Sequence, residues 1–121
     1  MDKWQALDAF WNSFELPAYD ENTVPDGAVM PYITYAAVTA AFEQPTTLTG
    51  SIWYRNTSWA SASRKADDIA RYIGTSYKVI KLDSGYMVLS KGTPFAQRMA
   101  DEDDSVRRVY IMVDVEFFTE V

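Results

Sequence analysis

The chain has 121 residues, the size of one compact domain that buries around two thirds of the surface its unfolded form exposes. It contains neither cysteine nor histidine, which excludes disulfides, thiolate zinc sites, cysteine nucleophiles and any mechanism with imidazole as the base. Seventeen acidic against eleven basic residues give a net charge of −6, a balance that disfavours binding nucleic acid by counterion release.

Aromatic residues make up 15% of the chain, so large rings are expected both in the core and at any contact surface. No stretch approaches the roughly 18 apolar residues of a membrane span, and the amino terminus lacks an apolar run of signal-peptide length. These features lead us to expect a soluble cytoplasmic protein and a single domain over residues 1–121.

From about residue 2 to 15, Trp4, Leu7, Phe10, Trp11 and Phe14 recur at steps of three and four, which predicts an amphipathic helix whose aromatic stripe is buried. Pro17 stops it. Leu16 to Pro31 holds three prolines and a glycine among its acids and reads as a long connection. Tyr32 to Thr39 alternates and reads as a strand, and Gln44-Pro45 leads into the next strand, so the two are expected to pair antiparallel.

Leu48 to Arg55 alternates cleanly, with Leu48, Gly50, Ile52 and Tyr54 on one side and Thr49, Ser51, Trp53 and Arg55 on the other. Asn56, Thr57 and Ser58 offer caps for a following helix, whose stripe is Trp59, Ala62, Ala66, Ile69, Ala70 and Ile73, with Gly74 at its end. Its outer face pairs Arg64 with Asp68 and Asp67 with Arg71 at i, i+4. Ser58, Ser61 and Ser63 near its start are read as capping and packing residues, because no glycine-rich approach makes a phosphate cradle.

Tyr77 to Leu82 and Tyr86 to Lys91 flank Asp83-Ser84-Gly85, a three-residue hairpin turn. Gly92 to Ser105 reads as a second connection, with Phe95, Arg98 and Met99 before the acidic run Asp101, Glu102, Asp103 and Asp104. Arg108 to Phe118 is the longest predicted strand. Val109, Ile111, Val113, Val115 and Phe117 form its apolar face, while Tyr110, Met112 and Phe118 beside Asp114 and Glu116 form a mixed face of the kind that meets another subunit. The expected fold is α+β, a mostly antiparallel sheet of about five strands packed with two helices in the order α-β-β-α-β-β-β.

No phosphate loop or serine triad is written here, and we expect no cofactor, no metal and no enzyme activity. Hard oxygens at Asp101 to Asp104 would suit a divalent cation, but the glycine and distal glutamate of a calcium loop are missing. The acids are therefore read as a solvated run that contributes to partner docking. Partner contacts are expected at Trp53 and Arg55, presented outward together on one strand face, at Arg98 and Met99, and at Asp101, Glu102, Asp103 and Asp104.

Taken together, WNSFELPAYDENTVPD from Trp11, SIWYRNTSW followed by KADDI, KGTPFAQRM and the closing RRVYIMVDVEFFTE resemble the small tail-completion or tail-terminator proteins of long-tailed bacteriophages and prophages, over nearly the whole chain. The resemblance implies a subunit of a sixfold ring that caps the tail tube, stops its polymerisation and offers a surface to the head connector, assembled in the host cytoplasm and placed at the head-proximal end of the tail. It implies three partners: further copies of the chain, the tail tube protein and a head-completion or connector protein. DNA would pass the ring without specific binding, which suits an acidic protein. The alternatives are a head-completion or neck protein and, from a different class, a small carboxylate-dependent hydrolase using a divalent metal.

Overall fold

The computed structural model describes all residues from Met1 to Val121. The first helix, α1 (Lys3–Trp11), starts at a capping box: the Asp2 carboxylate accepts from the Gln5 amide at 2.8 Å, and the Gln5 side chain accepts from the Asp2 amide at 3.0 Å. It ends four residues before the predicted boundary because Asn12 and Ser13 turn their side chains back to the carbonyls of Asp8 and Ala9. Phe14 is buried all the same, just beyond the helix, whereas Trp4 is half exposed and does not belong to the buried stripe of Ala6, Leu7, Phe10 and Trp11.

Six strands form one sheet: β1 (Ala18–Asp20), β2 (Tyr32–Tyr35), β3 (Thr46–Arg55), β4 (Lys78–Leu82), β5 (Gly85–Met99) and β6 (Val106–Thr119), in the spatial order β1-β2-β3-β6-β5-β4. The expected α+β class and mostly antiparallel sheet are borne out, with one strand more than predicted. That strand is β1, which lies inside the predicted connection from Leu16 to Pro31 and pairs parallel with β2. The Ile33 amide donates to the Pro17 carbonyl, and the Glu21 amide donates to the Tyr35 carbonyl, so both ends of this short ladder are closed.

Two further boundaries differ from the sequence reading. The strand predicted over Tyr32 to Thr39 stops at Tyr35, and residues 36–40 run half-buried beside the sheet. The predicted connection from Gly92 to Ser105 is mostly strand. Between Lys91 and Ala96 the register shifts around Gly92, Thr93 and Pro94, after which β5 resumes its pairing with β6 as far as Met99. A proline without an amide hydrogen is accommodated at such an irregularity, so a breaker signal here marks a bulge rather than an end.

Between β3 and β4 lies α2 (Ala60–Ile73), which buries Ala62, Ala66, Ile69 and Ile73 and ends at Gly74 with φ of 89°. No side chain caps its first turn across the helix, and Ser58 accepts only from the Ala60 amide. The i, i+4 ion pairs are replaced by i, i+3 pairs: Asp68 faces both Lys65 and Arg71, while Arg64 and Asp67 have no ionic partner. Such exposed pairs are worth at most tenths of a kcal/mol.

Both helices lie on the same face of the sheet. Trp11 of α1 covers Gly50 and stacks on Tyr35, and Phe10 and Phe14 meet Tyr72 of α2 at centroid distances of 5.8 and 5.4 Å. Under them lie Ile33, Leu48, Ile52, Met87, Leu89 and the apolar face of β6, including Ile111 and Phe117. Each such fully buried side chain contributes about 1.5–3 kcal/mol over an exposed one. All sequence-derived assignments to this face of β3 and β6 hold.

Candidate assembly surface

The opposite face of the sheet has no helix over it. Strand alternation places Tyr19 and Tyr32 there from the β1–β2 edge, then Thr34, Ser51 and Trp53, then the even-numbered residues of β6 from Arg108 to Phe118, and finally Val88, Tyr86 and Val79. Three exposed large apolar side chains, Phe42, Val79 and Tyr86, gather at the β4–β5 end of this face. There Phe42 meets Phe118 edge to face at 5.6 Å, and a groove of about 170 Å³ runs between Pro45, Val88, Asp114, Glu116 and Phe118. A contiguous, ring-rich and uncovered sheet face is the kind of surface that soluble domains use for contacts.

The other end of the face is ordered by Arg108. Its guanidinium lies 4.9 Å from the Trp53 ring centre and 5.7 Å from that of Tyr110, and its Nε donates to the Ser51 hydroxyl at 3.0 Å. Trp53 in turn donates its indole N–H to Thr34 at 2.8 Å, and Tyr19 meets Tyr32 edge to face at 5.8 Å. Trp53 is thus a half-buried member of a packed aromatic row on the uncovered face. Its presentation there agrees with the alternation, but its cationic companion is Arg108 and not Arg55.

Arg55 stands at the end of β3 and turns to the loop between β5 and β6. It donates to Asp103 at 3.2 Å and to Ser105 at 3.0 Å. Asp103 also accepts from the amide and hydroxyl of Ser105, and these bonds, with the Arg55 charge, hold its carboxyl down at a pKa of about 2. Asp101 accepts from the Asp103 amide, while Glu102 and Asp104 are exposed. The run is therefore a hydrogen-bonded turn at the tip of a long hairpin. No group of three or more acidic side chains gathers anywhere in the fold in a way that would hold a metal ion.

Arg98 and Met99 part company because neighbours on a strand point to opposite faces. Met99 sits across from Arg108 on the uncovered face. Arg98 lies on the helix side, with its guanidinium 5.1 Å from the Trp59 ring centre and within 3.4 Å of the Ser63 hydroxyl. Arg107 takes the other approach to Trp59, at 5.3 Å, and donates twice to the Thr57 carbonyl, so it ties the start of α2 to β6. The predicted contact residues thus converge on one end of the molecule without forming one surface. Tyr19, Tyr32 and Arg108 complete the aromatic row and are absent from the sequence-derived set. The alternation of β6 already places Arg108 there, whereas the two tyrosines follow only from the β1–β2 pairing.

No protein-family model and no curated protein sequence matches the chain. Its fold matches that of a chain in the virion of a native gene transfer agent (GTA) particle, with a TM-score of 0.56 and 14% sequence identity, over 92% of this chain and 83% of that one. At this identity the likeness shows a shared fold.

Proposed function

We propose that this chain is a structural protein of a phage-like virion, and that it acts as a tail terminator or tail-completion protein: a ring that caps the tail tube, ends its polymerisation and offers the head-joining surface. The observation that carries the reading is the match in fold, over 92% of this chain, to a chain of a virion particle, found for a sequence whose motifs resemble the tail-terminator family. Three features support it. An uncovered sheet face with exposed rings suits contacts with further copies or with a neighbouring virion protein. The net charge of −6 suits a channel through which DNA passes without sticking. No helix is long and apolar enough to cross a membrane.

Partner contacts in this reading include Trp53 on the sheet face with Met99, Arg55 at the end of β3, and the hairpin end that carries Arg98 and the acids from Asp101 to Asp104. The test is to image the purified protein by negative stain and to add it to polymerising tail tube protein from the same particle. Rings at tube ends together with shorter tubes are expected. A protein that leaves tube length unchanged and labels only tailless heads belongs to the neck instead, and one that binds neither overturns both placements.

A further inference from the structure

One strand of the uncovered face carries both halves of a charge-complementary contact. Arg108 has no carboxylate partner, and its charge is set in the aromatic row at one end of β6. Asp114 and Glu116 lie on the same face toward the other end and have no cationic partner; Asp114 accepts only from Thr47, at 3.3 Å. Arg108 and Asp114 are six positions apart on the strand, about 20 Å at the usual rise per residue. One copy cannot bring these two charges together.

A second copy can. With the two β6 strands antiparallel and face to face about the level of Ile111, Arg108 of each copy stands opposite Asp114 of the other, and Tyr110 stands opposite Met112. The remaining cation of this face, Lys81, lies two strands from Asp114 on the sheet's edge and leaves the polarity of β6 intact.

We infer that the uncovered face is a self-association surface, in which Arg108 of one copy pairs with Asp114 and Glu116 of another. A two-fold contact of this kind joins copies in pairs and is distinct from the head-to-tail contact that closes a ring, so it goes beyond the reading above and rests on it only for the expectation that copies associate. Charge pairs of this kind fix register and suppress wrong partners.

The test is a charge exchange read by light scattering coupled to size-exclusion chromatography. Arg108→Glu alone, and Asp114→Arg with Glu116→Arg, should each raise the dissociation constant for self-association by about tenfold or more, because each removes a charge pair and sets like charges opposite each other. Mixing the two variants in equal amounts should restore association, because each then supplies the charge the other has inverted. Circular dichroism confirms folding. Should Arg108→Glu fail to fold through loss of its bond to Ser51, the exposed acid-side variant still decides, since it must weaken association and must do so less in high salt.

Wild-type protein that stays monomeric, or variants that associate as wild type does, overturn the inference. Variants that associate normally while wild-type protein still caps tubes leave the proposed function standing without this surface. Restored association in the mixture, with no effect on tubes, does the reverse.

Discussion

The ring of Trp11 occupies the space that a side chain at position 50 would need: a Cβ built on Gly50 falls 2.6 Å from Cη2 of Trp11. The absence of a side chain is thus a packing requirement in the centre of β3, and Tyr35, the cross-strand partner of Gly50, stacks on the other part of the same indole at 5.9 Å. Gly50→Ala should destabilise the fold by about 1–3 kcal/mol, the usual cost of overpacking a core, and should lower the urea midpoint without altering the slope. An unchanged midpoint would mean that α1 shifts freely on the sheet.

Tyr35 is buried, and its hydroxyl donates to the Asp8 carboxylate. Burial first, and then the bond and charge of Asp8, push its pKa up from the ordinary tyrosine value. A raised folded-state value means stability that is complete below about pH 10, where the unfolded tyrosine ionises, and that falls as pH rises beyond it. Tyr35→Phe should cost about 1 kcal/mol near neutrality through loss of the hydrogen bond, and should flatten the alkaline decline. Thermal melts of both proteins across that range provide the comparison.

Asp103 has the opposite sign. Its folded-state pKa is lowered to about 2 by the Ser105 bonds and by Arg55, so whatever it contributes is present above the unfolded value near pH 4 and is lost as pH falls toward 2. Asp103→Asn should abolish that acid-dependent step in the order of the hairpin tip while leaving the global melting temperature at pH 7 nearly unchanged, because the group is fully exposed. Hydrogen exchange at residues 101–105 reads the local effect.

Arg107 joins three segments by donating to the carbonyls of Thr57, Asp104 and Val106 while lying over Trp59. Arg107→Ala should destabilise by about 1–3 kcal/mol, as expected when hydrogen bonds to a charged donor are lost at a partly buried site. Arg107→Lys should recover only part of this, since an ammonium cannot reproduce the planar fork or its stacking on the indole. Recovery to the wild-type level in a denaturation series would show that charge alone matters.

Strict periodicity made β3, α2, the β4–β5 hairpin and β6 legible, because there each residue's burial follows from its position along a regular element. Legibility ends where tertiary contacts decide. Ala18 to Asp20 become a strand through backbone bonds at Pro17 and Glu21 to a segment more than ten residues on, and no side-chain pattern announces that. Gly92 and Pro94 look like the end of β5, yet the ladder absorbs them as an irregularity and continues. The same shift decides that Arg98 joins Trp59 on the helix side while Met99 joins Arg108 on the open side. Arg55 shares Trp53's strand parity, but at the strand's last residue the tip loop claims its side chain.

The place of β6 in the sheet has a consequence for how the chain reaches its native state. β1, β2 and β3 form one block of neighbours, β4 and β5 another, and no ladder joins the blocks except through β6. Until residues 106–119 have been synthesised, the inner edges of β3 and β5 stay unpaired and open to wrong strands. Closure of the sheet is therefore a late, long-range event, and ribosome-bound chains stalled before residue 106 should remain sensitive to protease across both blocks and become resistant together once β6 slots between them.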